Sequence, residues 1–148
     1  MYRYLALRLG SPDDAEDVLQ EVFYRLARYS LRLRLVRNLR AFVFRIARNE
    51  ANRYLRRKIR NEHVAGPTSA FAESFCRTYA SPKEEDDRTI AEALAQIPKN
   101  QREVIVLKAL EGMTFKEIAM AFGESINTVA SRYRYGIEKL RQLLEDIR

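Results

Sequence analysis

The sequence predicts an all-α protein: two small helical domains, residues 1–60 and 82–148, joined by a flexible acidic linker over residues 61–81. Three observations support this prediction. Apolar residues recur at steps of three and four along most of the chain, which is the period of an amphipathic helix. Capping residues precede several of these stretches. The charge also changes in blocks, because residues 1–60 carry +9, residues 61–88 carry −3 and residues 89–148 carry +1.

Composition excludes several classes of protein. No apolar run reaches the roughly 20 residues that a membrane-spanning helix needs. The N-terminus lacks a signal-peptide cleavage site, so we expect a cytoplasmic protein without a membrane span. With Cys76 as the single cysteine and His63 as the single histidine, we expect no disulfide, no metal and no cofactor. The arginine-rich first 60 residues favour a polyanion such as nucleic acid as partner.

The N-terminal domain is predicted to contain two long helices, after a short one through Leu5 and Leu9. The first begins with Ser11 as N-cap and Pro12 at the first helical position. Its apolar face is predicted to consist of Ala15, Val18, Leu19, Val22, Phe23, Leu26 and Tyr29. After a break at 30–38, the second covers about 39–57, and its core face is predicted to consist of Leu39, Phe42, Val43, Ile46, Ala47 and Tyr54.

The linker is marked by Gly66-Pro67 and by the acidic run 84–87 that follows it. Phe71, Phe75 and Tyr79 recur every four residues, which indicates a short amphipathic helix within this region. Beyond it, Ser81 is predicted to cap a helix that ends at Pro98. A further helix begins near Asn100 and is stopped by Gly112.

The last third of the chain contains a helix-turn-helix pattern between Thr114 and Tyr133. Small Ala119 allows two helices to approach, Gly123 permits the turn, and Val129 holds the second helix against the first. Such a motif presents its second helix to a DNA major groove. The outer face of that helix is predicted to contact DNA through Asn127, Thr128, Ser131, Arg132, Arg134 and Tyr135. Because the domain is nearly neutral, we expect it to bind DNA weakly by itself.

Three segments, in order along the chain, resemble the bacterial sigma-70 family of RNA polymerase sigma factors, in particular the extracytoplasmic-function (ECF) type. Residues 14–23 are similar to the family's polymerase-binding helix, residues 39–57 to its minus-ten-reading helix, and residues 97–140 to its minus-thirty-five-reading domain. The resemblance implies that core RNA polymerase is contacted by Asp14, Asp17, Gln20 and Glu21. It implies that the minus-ten element is contacted by Arg45, Arg48, Asn49, Asn52, Arg53 and Arg56.

The same resemblance implies a base-capturing role for the loop 30–38 and a path through polymerase channels for the acidic linker. It also implies an anti-sigma factor as partner, with Phe44 or Leu33 as contact residues or as part of the core. The chain departs from the family pattern at its start, where only ten residues precede Ser11. This indicates either a truncated chain or a start at an internal methionine. It also has no tryptophan, and its loop lacks the family's usual residues, so the promoter sequence does not follow.

The function that results is that of a transcription initiation factor, which binds core RNA polymerase and promoter DNA and is not an enzyme. One alternative is a helix-turn-helix regulator that is not a polymerase subunit, but it leaves the pattern over residues 14–57 unexplained. A second alternative is an enzyme acting on nucleic acid. For that class the sequence offers no carboxylate cluster on one face, no glycine-rich phosphate loop, and no nucleophile beside a histidine.

Overall fold

The computed structural model describes residues 1–61, 67–79 and 84–147, and within these ranges the regular structure is helical throughout. The N-terminal unit consists of α1 (Tyr2–Leu9), α2 (Pro12–Arg28), a short 3-10 turn (Leu33–Leu35) and α3 (Leu39–Asn61). A connecting helix, α4 (Pro67–Tyr79), follows. The C-terminal unit consists of α5 (Glu84–Ala95), α6 (Lys99–Ile105) with a π-helical continuation (Val106–Leu110), α7 (Phe115–Phe122) and α8 (Ile126–Ile147).

The predicted helix ends are largely confirmed by the local hydrogen bonds. Ser11 Oγ accepts a hydrogen bond from the Asp14 amide at 3.3 Å, as an N-cap should. Thr114 and Glu117 form a reciprocal capping box at the start of α7. Gly123, with φ of 66°, ends α7 in the left-handed conformation that glycine adopts without a steric penalty. Ser81, the predicted cap of α5, lies outside the described residues.

The prediction of a flexible linker over residues 61–81 is corrected by the structure. Most of this segment forms α4, which packs against α1 and α5. The physical reason is the aromatic spacing already visible in the sequence. Phe71 and Phe75 are both buried, so this segment contributes to the core. The acidic run after it also belongs to a helix, since α5 begins at Glu84.

The core face of α3 also differs from the prediction. Phe44, Ala47 and Ala51 are buried, whereas Leu39 is half exposed. On α2, the residues Phe23 and Tyr29 of the predicted apolar face are exposed, although Ala15, Val18 and Val22 are buried as expected. On α3 the buried residues differ because this helix packs on α1, α2 and α7, so its buried surface does not coincide with one periodic stripe.

The two units therefore pack directly against each other, and α3 against α7 is the principal contact between them. Arg40 on α3 donates hydrogen bonds to the backbone carbonyls of Glu111 and Gly112 in the C-terminal unit. The α-amino group of Met1 lies 3.4 Å from a carboxylate oxygen of Glu111. Side chains from both units thus form one continuous core, with Leu5, Val22, Leu107 and Ile118 among its most buried members.

Candidate nucleic-acid interface

The N-terminal turns of α8 present the predicted minus-thirty-five residues to solvent. Asn127 and Thr128 are exposed, and so are Arg134 and Tyr135, whose guanidinium and ring stack at 5.1 Å. Ser131 and Arg132 are half-buried. Val129 is fully buried and anchors the helix, which leaves the opposite face free. Hydroxyl, amide and guanidinium groups on one exposed helix face are suited to contacting base edges and phosphates.

Two of these residues already have hydrogen-bond partners within the unit. Arg132 forms a bidentate ion pair with Glu124, with nitrogen–oxygen distances of 2.5 and 3.2 Å. Ser125 Oγ accepts from the Thr128 amide at 3.1 Å, which caps α8. DNA binding through Arg132 therefore requires it to exchange a carboxylate for a nucleic-acid acceptor. This pairing was not predicted from the sequence, because the two residues are eight positions apart across the turn.

The predicted minus-ten residues on α3 divide into an exposed group and an occupied, half-buried group. Arg45, Asn49, Arg53 and Arg56 are exposed. Asn52 is half-buried and accepts a hydrogen bond from Arg8 on α1. Arg48 is also half-buried, and its guanidinium lies 4.0 Å from the centre of the Phe122 ring at the end of α7. The basic row of α3 is thus partly covered by the C-terminal unit.

Arg48 of this occupied group contacts a buried carboxylate that was not predicted from the sequence. Glu103 on α6 is 7 % exposed. It accepts a hydrogen bond from Tyr4 at 2.6 Å and forms ion pairs with Arg8 and Arg48, each at 3.0 Å. We call these four residues the Glu103 cluster. The available signal in the sequence is the four-residue spacing of Tyr4 and Arg8 on one helix face, but nothing there identifies Glu103 as their partner.

Burial shifts the pKa values of two groups in or next to the Glu103 cluster, Tyr4 and Arg102. It raises the pKa of Tyr4 well above the usual value, and the nearby negative charge of Glu103 raises it further. Burial lowers the pKa of Arg102, next to Glu103 in the chain, and the positive charge of Arg8 adds to that effect. Tyr4 is therefore neutral and able to donate its hydrogen bond to Glu103 at neutral pH.

The predicted polymerase-binding residues on α2 also differ among themselves. Asp17, Gln20 and Glu21 are exposed, and Glu21 lies 3.4 Å from Arg25 one turn later. Asp14 instead points into the unit, where its carboxylate lies 2.9 Å from Lys58 Nζ on α3. Burial by itself would raise the pKa of Asp14, but hydrogen bonds from Tyr54 and Lys58 outweigh it and lower the pKa. Asp14 is thus engaged in packing α2 against α3.

A further exposed surface follows α2. Leu31 and Leu35 are 86 and 84 % exposed in the loop between α2 and α3, and Phe23 and Tyr24 are exposed on α2. The arginines Arg32, Arg34 and Arg37 alternate with these leucines. Large apolar side chains exposed together with cations form a surface suited to unstacked bases or to a protein partner. The periodicity of the sequence had placed Phe23 in the core, so this surface was not predicted in full.

In the ranges that the structure describes, no group of three or more His, Cys, Asp and Glu residues is arranged to hold a metal ion. The described helices also include none that is both long and apolar enough to cross a membrane.

Comparison with known proteins connects this geometry to a family. Residues 1–61 match the family described as Sigma-70 region 2, and residues 87–140 match Sigma-70, region 4. The ECF RNA polymerase sigma factor SigL of Mycobacterium tuberculosis is 34 % identical, with 99 % of this chain and 84 % of SigL covered. The RNA polymerase sigma factor CarQ of Myxococcus xanthus is 32 % identical, with coverage of 97 % and 82 %.

The fold is similar to a solved structure as well. The sigma factor RpoE of Bartonella quintana, crystallised in complex with the anti-sigma factor NepR, superposes with a TM-score of 0.73. That alignment covers 99 % of this chain and 91 % of RpoE at 24 % sequence identity.

A region 2 and a region 4 in one chain define a sigma factor, and this chain belongs to the sigma-70 family. Within that family it is of the ECF type. Its function is to bind core RNA polymerase and direct it to promoter DNA. The alternative of a DNA-binding regulator that is not a polymerase subunit is not favoured, because the region 2 match covers the segment which that alternative leaves unexplained.

Proposed function

We propose that three exposed surfaces divide the work of initiation in this chain. Asp17, Gln20 and Glu21 on α2 bind core polymerase, the basic row of α3 reads the minus-ten element, and the first turns of α8 read the minus-thirty-five element. What supports this assignment is that the α2 residues, four of the six α3 residues and four of the six α8 residues are exposed, on helices that bury other residues in the core. The chain acts by positioning, without catalysis, in the cytoplasm where polymerase and promoter are found.

Run-off transcription with purified core polymerase and a library of promoter fragments tests the assignment. The double substitution Asp17→Ala/Glu21→Ala is expected to reduce affinity for core polymerase and hence the transcript yield. Glu138→Ala is the control, because Glu138 is an exposed carboxylate on α8, outside the proposed polymerase-binding surface. If both variants lose the same amount of core affinity, the assignment of this surface is wrong.

The α8 surface is tested in the same assay on the best promoter found. Asn127→Ala/Arg134→Ala is expected to lower transcript yield through loss of DNA contacts while leaving core affinity unchanged. Lys139→Ala is its control, since Lys139 is exposed on the same helix about three turns beyond Asn127 and outside the predicted DNA-contacting residues. A protein that binds promoter fragments but never core polymerase would instead support the plain helix-turn-helix regulator.

We also propose that an anti-sigma factor regulates this chain, supported by the complex in which the B. quintana protein was crystallised. Of the two contact residues that the sequence suggested, Phe44 is buried and Leu33 is half-buried. Their exposed neighbours Leu31 and Leu35 are better placed. Affinity capture from the native host should recover a protein that inhibits run-off transcription and is lost with Leu31→Ser/Leu35→Ser. Retention of that inhibitor by the variant would contradict this contact.

A further inference from the structure

A negative charge lies in the turn that precedes the proposed minus-thirty-five surface of α8. Gly123 ends α7 and Ser125 caps α8, so Glu124 is the single residue between these two positions. Its amide donates a hydrogen bond to the Ala119 carbonyl at 3.1 Å, which holds its backbone in place. Because DNA phosphates repel a carboxylate, the presence of Glu124 at this surface requires an explanation.

Glu124 is compensated by Arg132, one of the residues predicted to contact DNA. Their side chains are 32 and 24 % exposed, and both terminal nitrogens of the guanidinium contact the carboxylate, at 2.5 and 3.2 Å. A bidentate arginine–carboxylate pair is strong, and partial shielding from solvent reduces its screening by salt. The other arginine predicted to contact DNA, Arg134, lies over the Tyr135 ring instead. Glu124 therefore engages one of the two arginines with which α8 is predicted to contact DNA.

Exchange of Glu124 for a backbone phosphate is unfavourable for the pair as a whole. Arg132 would replace one charged hydrogen-bond acceptor by another, so its own interactions change little. Glu124 would lose its partner and be left as an uncompensated carboxylate beside a polyanion. Arg132 therefore contributes little affinity for DNA of arbitrary sequence as long as Glu124 is ionised.

Base edges in the major groove can satisfy both members of the pair. Guanine N7 and O6 accept two hydrogen bonds from an arginine, and the N4 amino group of cytosine donates to a glutamate. Glu124 and Arg132 lie just before α8 and within its first two turns, and the N-terminal part of a recognition helix is the part that contacts base edges. A site that presents a guanine to Arg132 and a cytosine to Glu124 compensates both charges, whereas a phosphate compensates only one.

We propose that Glu124 is a specificity-determining residue of this sigma factor: it withholds Arg132 from backbone phosphates and releases it where the minus-thirty-five element presents a guanine and a cytosine together. This inference rests on the proposed function of α8. It assigns Glu124 a base preference of its own, in addition to the six α8 residues predicted to contact DNA. Glu124→Gln keeps the size of the side chain and removes its charge, so it tests both parts of the inference.

Competition between Glu124 and phosphate for Arg132 is measured first, with the full chain and duplex DNA of mixed sequence, because this requires neither polymerase nor a promoter. Fluorescence anisotropy at low salt should show that Glu124→Gln binds about three- to fivefold more tightly than the parent. The slope of log affinity against log salt should steepen by about 0.9, since one more arginine neutralises a phosphate. Glu145→Gln is the matched control. It removes the same charge from an exposed position of α8 about three and a half turns beyond Arg132, and it should leave the slope unchanged.

Arg132→Met separates the loss of a negative charge from the release of the arginine. In the parent it should change the affinity for mixed-sequence DNA very little, and in the Glu124→Gln background it should abolish most of the gain. Circular dichroism and thermal unfolding show which variants keep their helix content. If Glu124→Gln is folded and binds no more tightly than Glu145→Gln, or if its gain persists without Arg132, the inference is overturned.

Base preference is measured with the complete holoenzyme, by sequencing the templates transcribed from a promoter library whose minus-thirty-five region is randomised. The parent should select a guanine and a cytosine at two fixed positions. Arg132→Met should lose the guanine preference, whereas Glu124→Gln should keep it and lose the cytosine preference. Unchanged selection by Glu124→Gln would also overturn the inference. If even the parent gives no core-dependent transcript, the proposed function is contradicted, and the duplex measurements still decide whether Glu124 competes for Arg132.

Discussion

The two helices that we propose to contact DNA in this sigma factor are held in different ways. The proposed binding face of α8 is exposed, and its position is set locally by the Thr114 capping box, by Gly123 and by the buried Val129. The proposed binding face of α3 lies between neighbours from both units, and one of its arginines is paired with a carboxylate of the other unit. The position of the α8 surface is therefore determined by capping and turn residues close to it in sequence, whereas that of the α3 surface depends on packing between residues far apart in sequence.

The largest expected difference between the units is in the stability lost when an apolar residue is replaced, for two residues that both lie on predicted apolar helix faces. Ile118 on α7 is fully buried, so Ile118→Ala should lower the free energy of unfolding by about 2–5 kcal/mol through lost contacts and a cavity. Phe23 on α2 is 55 % exposed, so Phe23→Ala should change it by no more than about 0.5 kcal/mol. Urea unfolding followed by circular dichroism measures both. A loss at Phe23 as large as at Ile118 would show that the α2 aromatic is packed after all.

This contrast shows how far sequence could predict the molecule. Helix number, most helix ends and the turn at Gly123 follow from caps, glycine and period, because those signals are local. Periodicity does not distinguish an apolar face that packs from one that stays exposed, which is why Phe23, Tyr29 and Leu39 were misplaced. Glu103 was missed for a related reason: its partners are 55 to 99 positions away along the chain. Pairings at that separation depend on how the two units dock, which no single-helix pattern contains.

A second comparison sets a buried ion pair in the N-terminal unit against a more exposed one in the C-terminal unit. Glu50 on α3 is 4 % exposed, and its Oε1 lies 2.6 Å from Arg25 Nε on α2. Arg25→Ala leaves this carboxylate with Arg53 at 3.8 Å as its remaining ion-pair neighbour. We expect a loss of about 2–3 kcal/mol, below the full value for a buried pair because Arg25 itself is partly exposed. Arg132→Ala breaks the more exposed pair with Glu124 and should cost no more than about 1 kcal/mol.

The two substitutions should also differ in their effect on DNA affinity. Arg132→Ala is expected to weaken binding to a minus-thirty-five fragment, whereas Arg25→Ala should change DNA affinity only because the folded protein is less stable. Replacing both members of the buried pair, as Arg25→Met/Glu50→Met, should recover much of the lost stability, because no unpaired charge remains. Thermal unfolding of all four proteins gives the comparison. Failure of the double variant to recover would mean that the pair contributes more than charge compensation at this site.

The smallest expected effect concerns Asp14, whose position separates it from the other predicted polymerase-binding residues. Its carboxylate accepts from Lys58 across α2 and α3, and its pKa is lowered from the ordinary value of 3.8. A lowered pKa in the folded state stabilises the fold above the unfolded-state pKa, and that stability is lost as the pH falls through the folded-state value. Asp14→Asn should therefore cost about 1 kcal/mol at pH 7, and its difference from the parent should shrink below about pH 4.

Asp13→Asn is the control for this pH dependence, since Asp13 is exposed in the same helical turn. It should show a smaller cost that reflects the helix terminus alone. Core-polymerase affinity then decides whether Asp14 acts with Asp17. Because the Asp14 carboxylate accepts hydrogen bonds from Lys58 and Tyr54 inside the unit, Asp14→Asn should reduce core affinity less than Asp17→Asn does. A larger loss with Asp14→Asn, at unchanged stability, would mean that Asp14 leaves Lys58 when polymerase binds, and α2 would then have to be regarded as rearranging on contact.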